Sequence, residues 1–545
     1  MNTDIKERTF PRFLTILLIV AIILGVIFRF SNLDQKLYSL DETFSTTYIF
    51  GHNLEESGIY EQVIPIKELQ NFQKLDPEEN LVDGVYRLID VPYVFPPLYA
   101  ILMQIWSRLW LDDSVSPALI TRSLSSLISL LSFVGMYWLC WELSGSKKLA
   151  LIGTAILAIS PYHLQYAQIV RTYSLTTATT LLSSASLLRA LRLNNWKNWG
   201  LYAVNVAFGL YSHLLFEFGL IAQVVFVVFI EKFRITKRLR SFVVALAIGV
   251  GAFLPWFIKW ITRPGLFEYS VAQPAAANLS FTDLLRTWIV QIPTIFVHFN
   301  DPWRDFTQNF QTVQRLYTPL ILLLMLLSIY FVCRSSLINS KSRILILAFI
   351  ILGGCSLMAR DVLTGNSFST RLRYMIPYVL GIELAVICYL FTQIETGVPK
   401  WKKRGGEVVL TLLIVGGIFS GGIITKAESW SAFGSPDFPK IAQRINQFER
   451  PLVIFNDSGD ALTMSYLLHD NVSAHIDRPP LLELLEENTN EDSPQRFSEV
   501  ILFKPSSDSI QRLEKAPEWN LSPLFSDPQS RISNVWQVNH QNFQS

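Results

Sequence analysis

Residues 214–260 read LLFEFGLIAQVVFVVFI, then EKFRITKRLR, then SFVVALAIGVGAFLPWFIKW. Two apolar blocks, 214–230 and 241–260, bracket a run from Glu231 to Arg240 that carries Lys232, Arg234, Lys237, Arg238 and Arg240. Blocks of this length approach the ~20 residues that take an α-helix across ~30 Å of hydrocarbon. Lipid offers backbone amides no partner, so helix is the form that such a block adopts there. Lys and Arg close to span ends are retained in the cytoplasm, so the basic run reads as a cytoplasmic loop. The stretch predicts a chain that crosses the membrane more than once.

The same pattern extends in both directions. Half of the 545 residues are hydrophobic and 17% are charged, a membrane composition. We expect about eleven spans, at 13–30, 118–141, 149–163, 168–190, 199–213, 214–230, 241–260, 316–333, 344–359, 373–393 and 407–425. Alternate connections hold Lys147 and Lys148; Arg189, Arg192 and Lys197; Arg334, Lys341 and Arg343; and Lys400, Lys402, Lys403 and Arg404. With the N-terminus cytoplasmic, every basic cluster falls inside, and residues 31–117, 261–315 and the tail fall outside. Lys6, Arg8 and Arg12 precede the first block, and no small-residue cleavage site follows it, which reads as a retained signal anchor.

The formal net charge of +2 is spread over these short clusters rather than one face, so it gives no sign of a nucleic-acid surface, and no nucleic-acid partner is expected. Cys140, Cys333, Cys355 and Cys388 all lie inside apolar blocks, so neither a disulfide framework nor a cysteine metal cluster is expected. A bacterial plasma (inner) membrane is the expected location.

Two segments depart from the span pattern. Pro96-Pro97-Leu98-Tyr99 opens an apolar stretch ending at Leu111, read as a juxtamembrane helix, because one more span would invert every later loop. In the tail, Pro451–Phe455, Val472–Ile476 and Val500–Phe503 read as buried strands and Ala461–His469 as a helix. The expected architecture is therefore an all-α polytopic membrane domain, 1–425, followed by a small extracytoplasmic α/β domain, 426–545.

Polar residues with chemical potential collect at the ends of spans on one predicted side. Asp41 and Glu42 are adjacent acids just beyond the first span, where the competing account is an N-cap from Ser39 or Asp41 for the following helix. The turn from Ser160 to Ser174 includes Gln168, Arg171 and Tyr173. Arg171 there either snorkels to the surface or presents its fork of donors to a phosphate. His213 ends the fifth span, Arg371, Arg373 and Tyr374 begin the tenth, and Asp301, Arg304 and Asp305 lie in the second long loop. Carboxylates and arginines recessed at one face suit a base, a metal site or a lipid-linked phosphate.

In this order the residues resemble the protein O-mannosyltransferase and aminoarabinose transferase superfamily, glycosyltransferase family 39, which has the GT-C membrane fold. The resemblance covers most of residues 10–390. It rests on Asp41-Glu42 after the first span, Pro96–Tyr99, the basic turn at Lys147-Lys148, Ser160-Pro161 followed by Gln168, Arg171 and Tyr173, then Tyr211-Ser212-His213 and Arg373-Tyr374 before Pro377. It implies an enzyme that moves a sugar from a polyprenyl-phosphate donor to an extracytoplasmic acceptor with inversion. Asp41 would be the general base, supported by Glu42. Arg171 and Arg373 would hold the donor phosphate, with hydrogen bonds from Tyr173 and Tyr374. Tyr99, Gln168, His213, Asp301 and Arg304 would touch substrate less directly. A divalent cation is the one cofactor the resemblance allows, with Glu42 and His213 as candidate ligands. Many relatives carry Glu directly after the glutamine, whereas Ile169 follows Gln168 here, which removes an acid from that position.

Two rival readings remain. A transporter or flippase for a polyprenyl-phosphate glycan would place ionisable residues near mid-bilayer and break helices in paired positions. A non-catalytic relative that binds the lipid would fit the missing acid.

Overall fold

The computed structural model describes residues 11–54, 57–60, 62–76, 80–90, 96–110, 115–262, 279–299, 307–395, 398–427, 437–476, 485, 497–525 and 534–540. Contacts divide the chain into two units. One comprises residues 1–33, 94–106 and 119–427, and the other residues 34–93, 107–118 and 428–545. The segment after the first span is thus grouped with the C-terminal residues.

The first unit is helical. Among the described residues, seven helices are long and apolar enough to cross a membrane: Arg12–Phe30, Pro117–Ser144, Lys237–Ile261, Leu316–Arg334, Ser340–Thr364, Ile376–Ile394 and Lys400–Lys426. The other predicted spans are also helices, Lys147–Ile159, Tyr173–Leu193, Trp196–Ser212 and Phe216–Ile230, each shorter or more polar. Helix Tyr173–Leu193 tolerates its many hydroxyls because they bond back to carbonyls one turn earlier, as Thr176 does to Thr172 at 2.9 Å and Thr180 to Thr176 at 2.7 Å.

Three expected spans are interrupted, the first of them, 118–141, by a turn at Leu130. The block read as 149–163 breaks at Ser160, because Pro161 has no N–H to continue the helix and instead opens a short one, Pro161–Ala167. Residues 168–172 form a turn before the next helix begins at Tyr173. The block read as 344–359 holds a π-helical turn, Ile351–Cys355, of the kind that widens a helix locally.

Helix Arg12–Phe30 is bound tightly into this unit. Gly25 approaches helix Lys147–Ile159 so closely that a Cβ would lie 2.5 Å from the Ala158 carbonyl oxygen. Arg29 is 1% exposed, and its guanidinium donates to Ser129 Oγ at 3.1 Å and to the carbonyls of Gly25 and Ala158 at 2.8 and 2.5 Å. Burying a cation is tolerable only with such complete pairing.

His298, in the segment following helix Phe281–Gln291, is half-buried, and desolvation of its ring pushes its imidazole down to about 4. A depressed folded-state value means that stability is present above the unfolded value near 6.5 and is lost as pH falls toward 4. The loss amounts to about 3 kcal/mol. The melting temperature in detergent should therefore fall over this window, and His298→Gln should flatten the fall.

The second unit is built on a six-stranded sheet: β1 (Ile64–Pro65), β2 (Pro451–Phe455), β3 (Ser473–Ile476), β4 (Glu499–Phe503), β5 (Trp519–Pro523) and β6 (Val535–His540), in the order β1-β3-β2-β4-β6-β5. β3, β2 and β4 run parallel, and the flanking pairs are antiparallel. Alternate residues face opposite layers. Val453, Phe455, Ile501 and Phe503 join one apolar cluster, and Leu452, Ile454, Val500 and Leu502 the other. The first cluster also holds Leu37, Leu54, Ile59, Ile66 and Leu69, so the segment after the first span supplies core as well as the edge strand β1. Helix Ser458–Met464 starts earlier than its apolar pattern indicates because Asp457 caps it, accepting from Gly459 N–H at 2.8 Å and Asp460 N–H at 3.2 Å.

Candidate functional site

In the helical unit the turn at 160–174 and the segment at 371–374 meet. The Tyr162 hydroxyl donates to the Leu372 carbonyl at 3.3 Å, which ties the two arginine-bearing segments together. From Tyr162 a ladder of edge-on rings runs to Tyr166 at 4.7 Å and on to Tyr173 at 5.1 Å, and Tyr173 stacks on His213 at 6.1 Å. Arg171 lies near enough to His213 for their charges to act on each other. Arg171, Arg373 and Tyr374 are half-buried, with the Arg373 guanidinium 5.2 Å from the Tyr374 ring centre, whereas Tyr173 is buried. Elements far apart in sequence thus bring Arg171, Tyr173 and His213 into one aromatic and cationic network, linked through Tyr162 to Arg373 and Tyr374.

The His213 ring has a defined polarity. Its Nδ1 accepts from Leu215 N–H at 3.0 Å, which assigns the proton to Nε2 and makes that edge a donor. A donor edge beside a guanidinium suits an anion and not a cation.

A second buried pair supports the short helix Pro161–Ala167. His163 Nε2 and Glu383 Oε2 are 3.0 Å apart, with side chains 5% and 0% exposed, and Glu383 sits in the middle of helix Ile376–Ile394. The 371–374 segment is held from its other end by Asp361, whose Oδ2 accepts from the Ser369 N–H and hydroxyl, both at 2.6 Å. Trp288 Nε1 donates to that same hydroxyl at 3.1 Å.

In the sheet unit, helix Leu40–Ile49 carries Asp41 and Glu42. Ser39 is its N-cap and Glu42 completes a capping box: Glu42 N–H donates to Ser39 Oγ at 3.3 Å, and Glu42 Oε2 accepts from Ser39 N–H at 2.9 Å and its hydroxyl at 3.1 Å. The cap therefore occupies Glu42, which is fully buried, while Asp41 at the second helical position is half-exposed and outside the cap. Leu40 and Phe44 of this helix rest directly on Gly459, leaving no room for a Cβ there. Tyr38 packs edge-on against Tyr466 at 5.6 Å.

No family model matches the chain, and no curated protein matches it in sequence. Among solved structures, ArnT from Cupriavidus metallidurans bound to undecaprenyl phosphate is similar over 96% of this chain and 97% of that one, with a TM-score of 0.50 at 12% identity. The same protein in its apo state matches over the same shares with a TM-score of 0.50 at 13% identity. The oligosaccharyltransferase of Archaeoglobus fulgidus in the apo form is similar over 86% of this chain and 65% of its own length, again with a TM-score of 0.50, at 12% identity. The chain has the GT-C fold.

Within this GT-C fold the other expected site residues have definite places. Gln168 donates to the carbonyls of Phe28, Arg29 and Ser31 at 2.8, 3.4 and 3.0 Å, closing the end of helix Arg12–Phe30. Tyr99 is fully buried, with its hydroxyl 2.6 Å from Ser125 Oγ. Both side chains thus take part in packing within the helical unit. Asp301, Arg304 and Asp305 lie outside the described residues. Among the described residues no group of three His, Cys, Asp or Glu side chains converges as a metal site. With Glu42 in the cap and His213 presenting a donor, these two candidate ligands do not fit a cation.

Three buried residues escaped the sequence reading: His163, Glu383 and Asp361. Glu383 had a signal, since a carboxylate inside an otherwise apolar span marks a site or a pairing. Gly459 had none. Gly459→Leu should force helix Leu40–Ile49 off its seat and cost ~1–3 kcal/mol by overpacking. Thermal unfolding checks this, with Gly459→Ala expected to cost less.

Proposed function

We propose that the protein is a membrane glycosyltransferase that moves a sugar from a polyprenyl-phosphate donor to a hydroxyl-bearing acceptor with inversion. The observation that carries this reading is the union, through the Tyr162–Leu372 bond, of Arg171, Tyr173 and His213 with Arg373 and Tyr374. Donors of this kind suit a phosphate, and one solved structure of similar fold, ArnT from Cupriavidus metallidurans, is bound to undecaprenyl phosphate. Asp41 takes the proton of the acceptor hydroxyl as that oxygen attacks the anomeric carbon. The bond from that carbon to the phosphate oxygen breaks, and the polyprenyl phosphate leaves carrying the electron pair. Arg171 and Arg373 stabilise the added negative charge on the phosphate, so their effect is greater in the transition state than in the bound donor.

The test is sugar transfer or release from a radiolabelled polyprenyl-phosphate hexose by the purified chain in detergent. Turnover supports the reading. Donor binding without turnover favours the non-catalytic or flippase alternatives. Removing one preorganised donor from a developing anion costs on the order of 10²-fold, so Arg171→Gln and Arg373→Gln should each lower kcat by about this factor. Lysine at either position should restore part of it, because charge is kept while the bidentate fork is lost.

A further inference from the structure

The basic run at 231–240 has no part in this chemistry, yet it opens onto a cavity. Helices Trp196–Ser212 and Lys237–Ile261 enclose a groove of about 890 Å³. The floor forms where Gly249 meets Ala203 and Val206, so closely that a Cβ on Gly249 would lie 2.8 Å from the Ala203 carbonyl oxygen. The walls are exposed and apolar, with Val204, Val244 and Ile248 at 50%, 58% and 61%. One end alone is polar and cationic, formed by Lys237 and Arg240 beside Trp196. The side chains of Lys237 and Arg240 make no hydrogen bond or ion pair with the described residues. From Lys237 to the far lining residue Ala252 the helix rises roughly 22 Å, beyond the depth of one leaflet of a ~30 Å hydrocarbon core.

We propose that this groove is a binding site for one anionic glycerophospholipid, separate from the donor site. Lys237 and Arg240 take the phosphodiester, Trp196 sits at the headgroup level and one acyl chain lies along the apolar floor. The two cations supply charge complementarity, and the long apolar trough excludes a free anion as the natural occupant, because phosphate alone leaves the walls exposed to nothing it can cover. Basic pockets between transmembrane helices hold anionic headgroups on the same principle.

Native mass spectrometry of the purified full chain in neutral detergent tests this, using titrations of phosphatidylglycerol and phosphatidylcholine with identical acyl chains. One phosphatidylglycerol should be retained in preference, and the K237Q/R240Q double variant should lose that preference by about tenfold or more. Gly200 lines the groove and has no neighbour within 4 Å of an added Cβ. G200L should therefore block the lipid while leaving both charges and the fold in place. K147Q/K148Q, which alters another basic helix start, should change nothing. Equal retention of the two lipids, an unchanged K237Q/R240Q titration or displacement of the lipid by millimolar inorganic phosphate would each overturn the proposal. Loss of lipid in K237Q/R240Q but not in G200L would also overturn it, since that marks a surface charge effect.

Discussion

Asp41→Asn should abolish turnover of a polyprenyl-phosphate sugar, lowering kcat by about 10³- to 10⁴-fold with donor affinity nearly unchanged. The amide keeps the shape of the side chain but cannot accept the acceptor's proton. Because Glu42 and Ser39 form the capping box and Asp41 does not, the helix should survive the change, and the melting temperature should stay close to that of the wild type. Glu42→Ala should act in the opposite sense, removing the acceptor of the Ser39 N–H and lowering stability more than the chemical step. Measuring kcat, donor KM and thermal unfolding for both variants separates the roles. Normal turnover in Asp41→Asn would remove Asp41 from the reaction.

Glu383→Ala should be the most damaging change in the helical unit. It removes one member of a pair that is 3.0 Å apart and almost completely buried, and leaves His163 facing a cavity inside the protein. Breaking a buried pair at one partner costs ~3–5 kcal/mol. Glu383→Gln keeps a polar group at the same place and should cost much less. The pair supports helix Pro161–Ala167, which carries Tyr162 and leads directly to Arg171 and Tyr173. A rise in donor KM should therefore accompany the lost stability in Glu383→Ala. Thermal unfolding in detergent and donor titration of the two variants check this, and equal stability of Glu383→Ala and wild type would show that the pair contributes nothing.

The legible part of the candidate site was its residue types and their order along the chain. Arg171, Tyr173, His213 and Arg373 stood at span ends, where a polar side chain is costly and therefore conspicuous. Their partners were not legible. The Tyr162–Leu372 bond joins positions 210 residues apart, and the His163–Glu383 pair spans 220. Gln168 and Tyr99 looked like substrate contacts because they are polar residues in a recognisable order. Their hydrogen bonds, to the end of helix Arg12–Phe30 and to Ser125, were visible only in the folded chain.

The sequence by itself determined that the chain is a bundle of apolar helices with a small α/β unit, because blocks near twenty apolar residues and short apolar strand runs are local properties. It also offered Ser39 or Asp41 as the N-cap of the helix that follows, and the fold takes Ser39 with Glu42 completing the box. The tertiary structure alone decided that residues 34–93 share a unit with the C-terminal sheet, through β1 and the core residues Leu37, Ile59 and Leu69. It alone decided that Gly459 seats the helix bearing Asp41. Local sequence records what each segment prefers, whereas the pairing of segments hundreds of residues apart depends on which apolar faces fit together, and no periodicity carries that information.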